Sequence, residues 1–230
     1  MGTDGYFMES EEEAKRLDLK TDPQVVDRHA RWAGLQAGMR VADLGCGSGK
    51  TTFYLSQIAG PKGETVGIDN SGQRIEFAKK HYSAERIDYV RADIRSDLSC
   101  LGKFDFVWIR FVMEYYGSTA YEIIQNISKI INPGGILCLI DLDYNCLTHY
   151  GLPKRLELAI QGIKQTLEKK ADFDPYAGRK LYSYLYDMDY EDIDMTIEAH
   201  HLIFGELNDV DAFNWTKKVE VGGKLSGYPF

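Results

Sequence analysis

The sequence predicts an α/β protein built on a doubly wound, mostly parallel sheet. Three observations predict it. A short apolar run, Val41-Ala42-Asp43-Leu44, breaks into alternating glycines at Gly45, Gly47 and Gly49, then into a helix-like stretch, TTFYLSQIA. Apolar runs and helical stretches go on alternating as far as residue 145, a pattern that yields parallel strands joined by helical crossovers. The last run, residues 136–140, is apolar at every position, as suits a strand covered on both faces.

The elements follow in order. Residues 1–36 form a helical preface. In it SEEEAKRLDLK is a charged helix, and Asp22-Pro23 supplies an N-cap followed by proline at the first helical position. The helix QVVDRHARWAGL ends near Gly34, with His29 and Trp32 as packing residues. The core spans 37–145. Its strands are the run at Val41, then ETVGID, IDYV, FDFVWIR and, after a turn at Asn132-Pro133-Gly134-Gly135, the run 136–140. Ser71 fits the N-cap of the helix GQRIEFAKKHY, which leaves Asp69 at the end of the second strand to a ligand.

Residues 146–190 read as a helical cap, rich in tyrosine. Within it LPKRLELAIQGIKQTLEKK carries apolar residues at helical spacing. Over 191–230, IDMTIEAHHLIF reads as a sixth strand and NDVDAFNWTKKVEV as a helix. No closing seventh strand can be read. His200-His201 is not a metal pair, because neighbours on a strand point to opposite faces.

The glycine loop decides the chemistry. A dinucleotide fingerprint needs G-x-G-x-x-G, and counting from Gly45 its last position is Lys50. A P-loop needs G-x-x-x-x-G-K-[ST]; Gly49-Lys50-Thr51 fits its end, but its first position is Leu44. The pattern acid-x-G-x-G-x-G is matched throughout by Asp43, Gly45, Gly47 and Gly49, with Cys46 inside it. In this, and in LGCGSG as a whole, the chain resembles the class I methyltransferases that use S-adenosylmethionine (SAM). The resemblance covers about residues 35 to 145.

That resemblance implies SAM as cofactor, S-adenosylhomocysteine as product, and a role for each strand end. Asp69, twenty residues past Gly49, is placed to accept from the two ribose hydroxyls, since a carboxylate accepts several hydrogen bonds at once. Asn70 would lie against the adenine. Asp93 would accept from the adenine amino group, with Ile94 beside the ring. A solvated loop aspartate is the alternative for Asp93. Arg110 and Phe111 would stand near the methionine part of SAM. The preface over 1–36 would fold over the SAM pocket as a lid, with Tyr6, Arg16 or Lys20 near the cofactor's carboxylate, unless these are surface residues. Glu114 and Tyr115 would face the methyl acceptor, with the cap over 146–190 as its binding region. Glu114, Asp141, Asp143 and His149 are candidate bases, and Tyr115 and Tyr144 would orient the acceptor. A histidine placed like His149 is also a common structural residue.

Composition bounds the rest. The chain has 230 residues, 44% of them hydrophobic, and a net charge of −8 from 27 basic and 35 acidic residues. An acidic balance argues against an extended nucleic-acid surface, which needs clustered lysine and arginine. Cys46, Cys100, Cys138 and Cys146 show neither C-x-x-C nor zinc spacing, a reducing-compartment pattern, and no metal is expected. No run approaches the ~18 apolar residues of a membrane span. The chain opens polar and acidic, without a signal peptide. The expectation is a cytoplasmic enzyme that moves a methyl group to a small molecule. A SAM-binding partner without catalysis, a methyltransferase acting on protein or RNA, and a nucleotide-dependent oxidoreductase stand beside it; Lys50 disfavours the last.

Overall fold

The computed structural model of the protein describes residues 11–144, 150–199 and 205–227. The chain divides into two compact units. One is Glu9–Arg110 with Glu122–Leu139, and the other includes Phe111–Tyr121 and Ile140–Phe230.

Among the described residues five strands form the sheet: β1 (Arg40–Leu44), β2 (Glu64–Asp69), β3 (Ile87–Arg91), β4 (Phe104–Arg110) and β5 (Ile131–Ile140), in the order β3-β2-β1-β4-β5. β1 runs parallel to both β2 and β4, and β2 to β3. At the β5 edge the amide of Phe104 donates to the carbonyl of Ile130, and that of Phe111 to Ile140, each at 2.8 Å. Partner numbers rise together, so this pair is parallel too. Seven steps on one strand face ten on the other, and the surplus is taken up around Pro133 and Gly134, where Gly134 has φ +74. The expected turn at 132–135 is therefore a bulge inside β5 and not a loop before it. Pro133 has no N–H to contribute to a ladder, and a bulge at an edge tolerates it.

The chain builds β1, β2 and β3 outward in one direction, then returns to place β4 on the other side of β1. The strand order thus reverses between β1 and β4. In open α/β sheets, ligands bind in the crevice that such a reversal opens at the carboxyl ends of the strands.

The preface contains α1 (Glu11–Lys20) and α2 (Pro23–Trp32); α3 (Lys50–Ala59), α4 (Gly72–Tyr82) and α5 (Ala120–Ser128) follow β1, β2 and β4. Asp22 caps α2 by accepting from the amide of Gln24 at 2.8 Å, with Pro23 next to it. Val41, Ala42, Leu44, Phe106 and Trp108 of the central strands are fully buried, as are Leu55 of α3 and Ile124 and Ile127 of α5. Burial of a large aliphatic or aromatic side chain contributes about 1.5–3 kcal/mol, so β1 and β4 are the most firmly held part of the sheet. At its base, Asp105 accepts from the amide of Arg40 at 2.9 Å and from Asn132 Nδ2 at 2.7 Å, tying β1 to β5.

The other unit carries α6 (Lys154–Ala171), α7 (Ala177–Asp187) and α8 (Asp209–Ser226), with α6 packed on α8. Asn208 caps α8, accepting from the amide of Asp211 at 2.9 Å. The sixth strand is corrected in its described part: residues 193–199 carry no strand. Their alternating apolar side chains find no neighbouring ladder, and Met195 and Ile197 stay 62% and 85% exposed. The rest of that segment, including His200 and His201, lies outside the described residues, as do Tyr6 and His149.

Candidate active site

The loop after β1 is shaped by left-handed backbone. Gly45, Gly47 and Gly49 have φ of +77, +56 and +84, a region that side chains with a Cβ enter only at a cost. The amides of Gly45 and Cys46 both donate to the carbonyl of Ile68, at 2.8 and 3.0 Å, which ties the loop to the end of β2. A Cβ on Gly49 would stand 2.6 Å from Ala78 Cβ and 2.9 Å from the Tyr89 hydroxyl. The third glycine is therefore what lets α3 start against α4. Cys46 is buried, and burial pushes its thiol well above the ordinary range, so the sulfur keeps its proton.

Asp43 sits beneath the loop, 2% exposed, and accepts from the Thr52 hydroxyl at 2.6 Å. Burial pushes its carboxyl up to about 7. The Thr52 hydroxyl opposes that rise, the charge of Asp69 adds to it, and Arg110 opposes it. Burial in turn lowers Arg110 to about 10, against the pull of Asp43 and Asp22. A raised carboxyl has a thermodynamic consequence. In the unfolded chain Asp43 loses its proton near pH ~3.9, while the folded protein keeps it to about 7. Between those values the folded state binds more protons, so stability falls as pH rises. Asp43→Asn should remove this slope and gain on the wild type by roughly 1–4 kcal/mol across the window. Urea unfolding between pH 4 and 8 measures it. Parallel curves for the two proteins would show that Asp43 ionises normally.

Asp69, 5% exposed, closes the loop from the other side. Its Oδ2 accepts the amide of Gly47 at 3.0 Å. Its Oδ1 accepts the amide of Ser71 at 2.9 Å and both Nε and Nη2 of Arg74, at 3.0 and 2.7 Å. Ser71 does cap α4, accepting from the amide of Arg74 at 3.4 Å, but this does not leave Asp69 idle. Arg74 points back from the first turn of α4 to form a buried ion pair with it, and its Nη2 also reaches Asn70 Oδ1 at 3.0 Å. Nothing in the sequence reading singled out Arg74. Its one legible signal was a basic residue three positions past a helix cap that follows a strand-end acid.

At the end of β3 the carboxylate of Asp93 is gripped by Arg95, whose Nη2 and Nε donate at 2.6 and 3.0 Å; this holds it below the usual carboxylate range. Ile94 is buried, and its carbonyl accepts from Asn126 Nδ2 at 3.2 Å. α1 lies over the glycine loop. The Leu17 side chain comes within 3.1 Å of where a Cβ on Gly47 would be. Lys50 Nζ donates to the Asp18 carbonyl at 2.8 Å, and the Tyr82 hydroxyl donates to the Asp18 carboxylate. Arg16 is buried at 3% exposure. Lys50, the residue that spoils the dinucleotide fingerprint, thus holds the preface on the loop.

In the other unit, Phe111 has φ +58 and leads into a short turn over Met113–Tyr115. Glu114 is 3% exposed. Its amide donates to Asp141 Oδ2 at 3.1 Å, and the amide of Leu142 donates to Asp141 Oδ1 at 2.8 Å. Burial, reinforced by the charge of Glu114, raises the Asp141 carboxyl well above its usual range. With both oxygens taken by main-chain donors, Asp141 is a fastener of this turn. The Glu114 carbonyl accepts the amide of Asp174 at 2.7 Å, and the Tyr115 and Phe173 rings meet at 5.8 Å. Tyr144 has φ +66 and lies 5.5 Å from the Tyr176 ring, and Asp143 is paired with Arg179 at 2.7 Å. Among the described residues no group of three or more His, Cys, Asp or Glu is placed to hold a metal, and no helix is long and apolar enough to cross a membrane.

A parallel sheet with its order reversed at β1, a left-handed glycine loop at that point, and strand-end acids at β2 and β3 define a Rossmann-like nucleoside-binding domain. Residues 35–197 match the methyltransferase domain family, and the chain belongs to it, within the class I SAM-dependent type. It is 29% identical to demethylmenaquinone methyltransferase of Lactococcus lactis over 57% of this chain and 52% of that one. It is 32% identical to the Staphylococcus aureus protein of that name over 55% of this chain and 56% of the other. The chain spans about half the length of the curated relatives it matches. The crystal structure of a SAM-dependent methyltransferase from Aquifex aeolicus shares the fold, with a TM-score of 0.56 at 19% identity over 79% of this chain and 89% of that one.

Proposed function

We propose that the protein is a methyltransferase that uses SAM and passes the methyl group by in-line displacement to a small aromatic acceptor. The observation that carries the proposal is the hydrogen bond from the Gly47 amide to Asp69, which joins the glycine loop and the strand-end acid into one cradle. The residues fit the cofactor. Asp69 Oδ2 carries one donor and keeps a lone pair for a ribose hydroxyl. Asn70, Asp93 and Ile94 are read as the adenine surroundings, and Arg110 and Phe111 as the neighbours of the methionine part. SAM supplies a methyl group already activated on a positively charged sulfur. The chain's own residues then have to align the acceptor and exclude water, and alignment of this sort lowers a barrier by roughly 7–11 kcal/mol.

Glu114, Tyr115, Tyr144 and His149 are read as the acceptor side, which follows the carboxyl ends of β4 and β5. The curated relatives named demethylmenaquinone methyltransferase support a small-molecule acceptor, as does the tyrosine-rich segment after β5. A cytoplasmic location belongs to the same reading.

Thermal-shift measurements test the cofactor. SAM and S-adenosylhomocysteine should raise the melting temperature, and NAD and ATP should not. A ligand at 100 times its Kd adds about 2.7 kcal/mol, a shift of several degrees. Asp69→Ala should abolish it. Labelled methyl uptake from SAM by a metabolite pool then identifies the acceptor, and binding without any uptake would leave only a SAM-binding partner protein.

A further inference from the structure

Three cations stand close together in the unit that follows β5, and they are not alike. Arg179 and Lys180 are each paired with a carboxylate, Asp143 and Asp174 respectively. Lys164 of α6 is not. Among the described residues its ammonium makes one hydrogen bond, to the Tyr176 hydroxyl at 2.6 Å, and no carboxylate lies within ion-pair distance. Instead it stands 4.7 Å from the centre of the Tyr144 ring and 4.8 Å from that of Tyr176. The Arg179 guanidinium lies over the Tyr176 ring as well, at 4.5 Å.

An ammonium carries three donors, so two N–H groups of Lys164 remain to be given. Tyr176 accepts from Lys164 through its oxygen, which leaves its own O–H to donate. Tyr144 is held in a left-handed conformation at φ +66, costly for a residue with a ring and a known companion of ligand sites. It comes four residues after the carboxyl end of β5.

We infer that Lys164, Tyr144 and Tyr176 form an acceptor subsite for an aromatic acid, which presupposes the methyl-transfer reading. An ionised oxygen of the acceptor, a carboxylate, takes an N–H of Lys164 and the O–H of Tyr176, while its ring lies against Tyr144. Charge-assisted hydrogen bonds of this kind are roughly twice as strong as neutral ones. The neutral ester of the same compound keeps a carbonyl to accept them but loses their charge assistance.

The test uses the full chain saturated with S-adenosylhomocysteine. 1-Hydroxy-2-naphthoate and its methyl ester are compared by calorimetric titration. The acid should bind on the order of 10–100-fold more tightly than the ester. Lys164→Met should remove most of that preference by weakening the acid far more than the ester, Lys164→Arg should restore most of it, and Tyr176→Phe should fall between. Equal binding of acid and ester, no binding of the acid, or an equal loss of both in Lys164→Met overturns the subsite. Thermal melts of the variants separate misfolding from loss of the subsite. Failure of S-adenosylhomocysteine itself to bind would instead sink the underlying methyltransferase reading, so the two failures are distinct.

Discussion

Arg74→Met should destabilise the protein by about 3–5 kcal/mol, because it removes one partner of a buried ion pair and strands the other. The pair qualifies as buried: the side chains of Arg74 and Asp69 are 6% and 5% exposed, with a 2.7 Å contact. Solvent therefore does little to screen what is left behind. The carboxylate cannot easily move away from the site, since the Gly47 and Ser71 amides hold it on two sides. Methionine fills most of the space, so the loss reports charge more than cavity. Urea unfolding at pH 7 reads the effect, and Asp69→Asn in the same background completes a cycle. Asparagine carries no charge but keeps an oxygen for only one of the two main-chain donors, Gly47 on Oδ2 or Ser71 on Oδ1, so the double variant should recover part of what Arg74→Met lost. A loss under about 1 kcal/mol for Arg74→Met would place the pair among surface ion pairs. Adding the two single losses without recovery would show that Arg74 acts through packing.

The fold was largely legible, and the reasons are local. Gly45, Gly47 and Gly49 announce a left-handed loop because few other residues take that backbone, and the apolar run 136–140 announces a strand, although β5 lies at the sheet edge and over 136–140 only Cys138 is buried, not every position as expected. Ser71 and Asp22 were legible as caps from their position alone. What escaped reading lies between segments. Arg74 sits in a helix whose neighbours Gln73 and Glu76 are exposed, so sequence places it on a solvated face; only the angle at which α4 leaves β2 turns its guanidinium back to Asp69. Lys164, Tyr144 and Tyr176 come from three stretches of chain, and no spacing joins them. The sixth strand was misread for the opposite reason. Ile193, Met195 and Ile197 have the period of a strand, but a strand needs a free edge to pair with, and sequence alternation does not reveal whether one is offered.

Gly49→Ala should cost roughly 2–5 kcal/mol, the sum of two separable penalties. The first is conformational: φ is +84, and a left-handed residue with a Cβ costs about 1–2 kcal/mol. The second is steric. The new Cβ would come within 2.6 Å of Ala78 Cβ, 3.1 Å of Ala78 Cα and 2.9 Å of the Tyr89 hydroxyl. Neither Ala78 atom is the end of a flexible chain, so α4 or the start of α3 has to move, and forced overpacking typically costs about 1–3 kcal/mol. Gly38 provides the control. Its φ is +91, yet a Cβ there meets nothing within 4 Å, so Gly38→Ala should show the conformational penalty alone. The difference between the two variants measures how tightly the third glycine of the loop is packed against α4. It bears on the cofactor as well, since a shift of α3 and α4 moves Gly47 away from Asp69, and Gly49→Ala should lose the thermal shift with S-adenosylhomocysteine where Gly38→Ala retains it. Equal destabilisation by the two substitutions would mean that the loop has room, and that its third glycine serves only to turn the chain.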